Sequence, residues 1–156
     1  MNPKVELLDR TKKKKIIQIL EKDYGIAKLP FLLIKTSKEK IRAYSGALSW
    51  DELNELAKTI HIELIGMPLC SIIEENSRIN FDAINLPIIK NQIKENFIEI
   101  SEEELKSWIK GNNIERESNL SAPFILIKHN TDFFGVASNR KTFLQNYIPK
   151  ERRVRN

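Results

Sequence analysis

The sequence predicts an α+β protein, with an N-terminal α/β domain at residues 1–92 followed by a β-rich domain at residues 93–156. Three observations point to it. Ser49-Trp50-Asp51-Glu52 and Ser101-Glu102-Glu103-Glu104 are capping boxes, in which a serine hydroxyl and a glutamate three residues on satisfy each other's orphan amides and open a helix. Between the helical stretches lie short apolar runs bounded by Pro, Gly or Asn, too short for helices and suited to strands. After Gly111 the pattern consists of such runs alone, and this change of pattern, without a low-complexity linker, places the boundary near residue 93.

Taken in order, Thr11–Tyr24 carries Ile16, Ile17, Leu20 and Tyr24 at helical spacing, and Gly25 is placed to stop the helix. Lys12 to Lys15 fall in its first turn, where cations oppose the helix dipole; a solvated face is one account of them and a binding role the other. Phe31–Ile34 and Ile41–Tyr44 read as a hairpin across Thr36-Ser37-Lys38-Glu39. Ser49 opens a helix whose Leu53, Leu56, Ala57 and Ile60 form one apolar stripe for packing. Ile62–Met67 and Leu69–Ile73, interrupted by Pro68, suggest strands or a bent strand pair. A short helix starts near Pro87, a first-turn proline. Phe97–Ile100 is a strand, Ser101 opens a helix holding Leu105, Trp108 and Ile109, and Gly111 takes the left-handed position after it. Phe124–Ile127, Phe133–Val136 and Phe143–Ile148 complete a β-rich end, joined by turns at His129–Asp132 and Ser138–Arg140 and stopped by Pro149.

The chain has 156 residues, 41% of them hydrophobic, with only 5 Gly and 6 Pro, the composition of a globular protein rather than a disordered one. A chain of this length buries about 70% of its unfolded surface. The first residues, Met1 to Lys15, contain no apolar signal-peptide core, and no run is long enough to span a membrane, so a cytoplasmic location is expected. A single cysteine, Cys70, and two histidines, His61 and His129, supply no recognised zinc arrangement, so no metal is expected.

The formal charge of +5 is unevenly placed. Arg140, Lys141, Lys150, Arg152, Arg153 and Arg155 face one acid, Glu151, in the last stretch; of the 26 basic and 21 acidic residues this leaves twenty of each in the rest of the chain. Localised positive charge implies a polyanionic partner, against the plainer reading of a solvated tail.

Signs of catalysis are few. The 5 glycines, Gly25, Gly46, Gly66, Gly111 and Gly135, are all isolated, so no glycine-rich turn can cradle S-adenosylmethionine or a nucleotide, and no cofactor is expected. Cys70 lies among apolar residues with no basic neighbour in sequence to activate it. His129 with Asp132 is explained better by a hairpin turn than by a triad, and Glu102 to Glu104 by the positive end of a helix. No catalytic residue is assigned.

A binding surface remains. Lys106 and Lys110 share a helix face and, with Gly111, Asn112 and Asn113, bring cations and amides to a turn that allows close backbone approach by a phosphate or base; a solvated helix end is the alternative. Phe143 and Tyr147 are candidates for stacking on bases, or core residues of a strand.

Asn96-Phe97-Ile98-Glu99-Ile100, the helix ending at Gly111, Phe124 to Lys128, Gly135, and Asn146-Tyr147-Ile148-Pro149-Lys150-Glu151-Arg152-Arg153 together resemble a PUA domain. The ending is similar to the PUA-type modules attached to RNA cytosine-5 methyltransferases of the Nop/Sun class. Tyr24-Gly25-Ile26, Pro30-Phe31, Ile65-Gly66-Met67 and Asp82-Ala83-Ile84-Asn85-Leu86 resemble the region preceding such modules. The chain is also similar to two-domain ribosome-biogenesis factors that end in a PUA domain. The resemblance implies a small mixed β-barrel at residues 93–156, in a non-catalytic protein that binds tRNA or rRNA in RNA modification or ribosome biogenesis, through Lys110 to Asn113 and Asn146 to Arg153. No methyltransferase domain is present, so a separately encoded methyltransferase or a ribosomal protein is the expected protein partner. The competing expectation is a protein-protein adaptor docking on such a partner.

Overall fold

The computed structural model describes residues 5–155. The first half starts with β1 (Glu6–Leu7) and α1 (Arg10–Tyr24). Asp9 caps α1 by accepting the Lys12 amide, and Gly25, at φ +85°, ends it while its own amide returns to Glu21 O at 2.8 Å. Two of the lysines in its first turns have structural partners: Lys12 pairs with Glu6, and the Lys13 ammonium donates to Phe31 O at 2.6 Å. The hairpin forms as expected, as β2 (Leu32–Lys35) and β3 (Lys40–Tyr44).

Next come α2 (Trp50–Thr59), β4 (Met67–Ile73) and β5 (Asn76–Ile79). The Ser49 box closes in both directions, and its hydrogen bonds hold the Glu52 carboxyl below its usual range. Three features of this half differ from expectation. Pro68 does not interrupt a strand: β4 runs through it, because it stands opposite Arg42 where the register shifts between Ile41 and Arg42 and no ladder amide is needed. Ile62–Gly66 is correspondingly not a strand. Asn76–Ile79, too polar to read as a strand, becomes one because Glu74 and Glu75 both adopt positive φ, 49° and 63°, and fold it back on β4. The apolar stripe of α2 is only partly used, since Leu53 is buried while Leu56 and Ile60 remain 37% and 52% exposed.

The resulting sheet, in the order β1-β2-β3-β4-β5, is antiparallel throughout rather than built of βαβ units. A single-turn helix, α3 (Pro87–Lys90), carries the chain to the second half, with Pro87 in its first turn as expected. There β6 (Phe97–Glu99), α4 (Glu102–Trp108), β7 (Phe124–His129), β8 (Asp132–Asn139) and β9 (Leu144–Asn146) follow. The second sheet is mixed, in the order β6-β7-β8-β9, with β6 parallel to β7, and an isolated bridge from Leu144 to Ile114 extends it past β9. β8 continues through the Ser138-Asn139 expected to turn; the turn comes later, with Lys141 at φ +67°. β9 stops at Asn146, and Pro149 begins a single 3-10 turn, Lys150–Arg152.

β7 shows why the halves pack as one unit. Its run Ile125-Leu126-Ile127 is fully buried, as befits a strand covered on both faces. Ile125 and Ile127 join a cluster with Ile100, Trp108, Leu144 and Ile148, whereas Leu126, with Phe133 and Val136, joins the core of the first half around Leu20, Tyr24, Leu33, Leu69 and Ile84. Polar ties reinforce the junction. Asn85 exchanges both amide hydrogen bonds with the Phe133 backbone, at 2.7 and 2.9 Å, and the Tyr24 hydroxyl reaches Phe124 O at 3.2 Å. Gly135, at φ +100°, lets the halves approach closely: a Cβ there would stand 3.1 Å from the Phe81 ring.

Candidate nucleic-acid interface

The residues expected to bind RNA form two groups in space. Around the end of α4, Asn146 gathers the first. Its Nδ2 donates to Trp108 O at 2.7 Å and to Asn112 O at 3.0 Å, its Oδ1 accepts the Ile148 amide at 2.8 Å, and its backbone amide donates to Asn113 Oδ1 at 2.9 Å. Asn146 is therefore buried and spent on the fold; its expected part in RNA contact is corrected to that of a clamp holding the Gly111–Asn113 loop against β9. Gly111 is corrected in the same sense. It does have φ +100° and close approach, but the approaching group is the chain's own Arg153, whose Cδ would lie 2.7 Å from a Cβ on Gly111. Arg153 Nε donates to Ile148 O at 3.0 Å, and the Val154 amide donates to Ile109 O at 2.9 Å, so the basic end is fixed to the folded surface through Val154.

Lys110, before the clamped loop, and Lys150 and Arg152, in the 3-10 turn that follows, are exposed. Arg152 pairs with Asp82 at 2.8 Å across the junction, and Lys106 with Glu102 at 3.1 Å on α4, each pair largely solvent-exposed and weak. Arg140 and Lys141 make up the second group, in the β8–β9 turn at the end of β9 away from Asn146; Arg140 Nε donates to Gln145 Oε1 at 2.9 Å.

A second basic feature was not legible beforehand. Between the two sheets lies a cleft of about 560 Å³, bounded by β3, β4 and β5 on one side and by β8, β9 and the 3-10 turn on the other. Among the described residues its charged lining consists of Lys40, Arg42, Arg78, Lys150 and Arg153, with no carboxylate. Directly opposed residues in an antiparallel ladder point to the same face, and Lys40, Ser71 and Arg78 are opposed in turn across β3, β4 and β5. Arg42 is committed to the carbonyl of Ile65 at 2.7 Å. Arg78 stacks its guanidinium 5.3 Å from the centre of the Tyr147 ring and 5.7 Å from that of Phe124. Tyr147 thus sits half-buried at the cleft rather than in the core, while Phe143 is half-buried without a basic stacking partner. In the sequence this face of the first sheet is marked by the Lys40-Ile41-Arg42 alternation of β3, whereas Arg78 lies in a segment too polar to predict a strand.

The groups weighed for catalysis are elsewhere engaged. Cys70 is buried, and desolvation pushes its thiol up to about 12, so it is not a thiolate nucleophile. His129 Nδ1 is 2.8 Å from Ile100 O, and Asp132 pairs with Lys90 at 2.6 Å, so the two do not form a dyad.

This half is a mixed sheet carrying one capped helix, with its basic end pinned over the helix terminus. Residues 95–154 match the family described as the methyltransferase RsmF PUA domain, found in RNA methyltransferases of the Sun/Nop class. The match covers less than half of the 156 residues, and the N-terminal half lies outside it. A comparison with curated proteins finds no match to the chain.

Proposed function

We propose that the protein is a non-catalytic, cytoplasmic RNA-binding protein that holds tRNA or rRNA during RNA modification or ribosome biogenesis, serving a separately encoded methyltransferase. The observation that carries the reading is the fixed basic end of the segment that matches a PUA domain: Arg153 packs on Gly111 and the Val154 amide bonds Ile109, so Lys150, Arg152 and Arg153 are held on the folded surface rather than trailing in solvent. Cations held on a folded surface meet phosphates without the ordering cost of a free tail. The buried, protonated Cys70 and the separate engagement of His129 and Asp132 support a binding role over a catalytic one.

Salt dependence tests it. With about four phosphates neutralised, log affinity for RNA falls with log salt at a slope of roughly −3. Replacing Lys110, Lys150 and Arg152, all exposed, with Ala is expected to weaken binding and to flatten the slope by about 2. An unchanged slope in that variant sinks the reading.

The adaptor alternative is favoured by one observation, the uncovered face of α2, where Leu56 and Ile60 continue into Leu64, 73% exposed, beside Asp51, Glu55 and Glu63. Such a face suits a basic protein, either an RNA-modifying enzyme or a ribosomal protein. Purification from cells with and without ribonuclease separates the readings: partners that survive the treatment favour the adaptor.

A further inference from the structure

We infer that the cleft between the two sheets is a binding site for unpaired RNA, taking a nucleotide with its flanking phosphates, and that Arg78 stacks on its base. The inference rests on RNA binding as the function, and it assigns a nucleic-acid role to the N-terminal half, since Lys40, Ser71 and Arg78 all precede the matched residues 95–154.

Four features converge there. The polar row of Lys40, Ser71 and Arg78 is presented on one face of the first sheet and lines the cleft, opposite Lys150 and Arg153 from the second half. Among the described residues neither Lys40, Arg78 nor Lys150 is ion-paired, and no carboxylate lines the cleft. Unpaired like charges around a concavity oppose the fold and focus a positive potential within it, an arrangement that an anionic ligand relieves. Arg78 and Tyr147 add flat, weakly hydrated surfaces on which a base stacks, a recognition mode that tolerates any base.

Size then decides the form of the ligand. A cleft of about 560 Å³ lies in the range of small-molecule sites, large enough for a nucleotide and too small for a double helix. A paired base is stacked within its helix and cannot reach the Arg78 and Tyr147 surfaces until it is splayed out. A free mononucleotide presents the same chemistry as one unit of a strand, and competition distinguishes the two. The Arg78 stack also joins the two halves, but a merely structural tie gives no reason for Lys40 in the same row or for the lack of acids.

The full-length chain is titrated with fluorescein-labelled decauridine and with a blunt, fully paired RNA duplex of the same length. Arg78→Ala is expected to weaken decauridine binding about tenfold and to leave the duplex within about twofold. Arg78→Lys, which keeps the charge but not the planar face, remains about fivefold weak. Decauridine affinity within twofold of the native value in Arg78→Ala, or equal losses on both probes, overturns the inference. So does uridine monophosphate competing as well as decauridine per nucleotide. A second measurement needs no variant: a thiouridine-substituted decauridine, photocrosslinked to the native protein, is expected to label Tyr147 or Phe81, and labelling confined to residues outside the cleft refutes the site. If the native protein binds neither probe, RNA binding itself fails. If it binds both while the Arg78 variants are silent and crosslinks avoid the cleft, only the cleft assignment falls.

Discussion

Asn146 and Gly111 illustrate how a residue chosen for its chemistry can be consumed by its own fold. An asparagine near a basic cluster is a natural candidate for reading a base edge, yet Asn146 has both its amide and its carbonyl bonded to backbone groups within the molecule. Truncation would strand the Trp108 and Asn112 carbonyls and the Ile148 amide. Asn146→Ala is therefore expected to cost about 2–3 kcal/mol in urea unfolding, beyond the loss of an ordinary surface amide. A cost below about 0.5 kcal/mol would return Asn146 to the pool of free contact residues. The cations show the reverse. Lys110 and Lys150 are exposed and unpaired among the described residues, whereas Arg42 and Arg153, of the same formal charge, are partly spent on carbonyls. Charge is readable from the sequence; whether it is available is a matter of what lies within hydrogen-bond reach.

At the scale of elements, local chemistry succeeded where its partners are local. Both capping boxes close within their own four residues, and Gly25 and Gly111 adopt the left-handed conformations that their positions after helices require. Strand prediction from apolar runs worked for β2, β3, β6 and β7, and missed β1 and β5, which carry too few apolar residues and exist because a neighbouring strand offers a ladder. The helix α2 is the instructive case. Its periodicity calls for a packed stripe, but of that stripe only Leu53 is buried, in a small cluster with Leu7 and Ile34 on which Trp50 also packs. Leu53→Ala is accordingly expected to cost about 2–5 kcal/mol. Leu56→Ala, one turn along and exposed, should fall within about 0.5 kcal/mol in the same chemical denaturation. Comparable losses at both positions would mean that α2 packs more deeply than the fold places it.

For the whole molecule, the shared core has the larger consequence. Leu126, Phe133 and Val136 belong to the same apolar cluster as Leu20, Tyr24 and Ile84, so neither half buries its sheet without the other. The two halves should unfold together. In a Trp50→Phe variant the remaining indole, Trp108, reports on the C-terminal half, while far-ultraviolet circular dichroism reports on both. Their denaturation midpoints are expected to coincide, and separate transitions would mark two independent cores. The same continuity creates the cleft, since its walls come from different halves and its width is set by the packing beneath it.

The α+β class, the helix boundaries, the basic C-terminal end and the resemblance to a PUA domain are legible in the chain alone, because capping, periodicity and charge are carried by residues close together in it. Which polar groups are free follows from the packing of distant segments. That packing spent Asn146 on the α4 loop, covered Gly111 with Arg153, and aligned Lys40, Ser71 and Arg78 through two strand registers into a cleft completed from the other half. The physical reason is that hydrogen-bond partners and cross-strand neighbours are fixed by pairing between distant segments, and a single residue's slip in register would have turned that row to the opposite face.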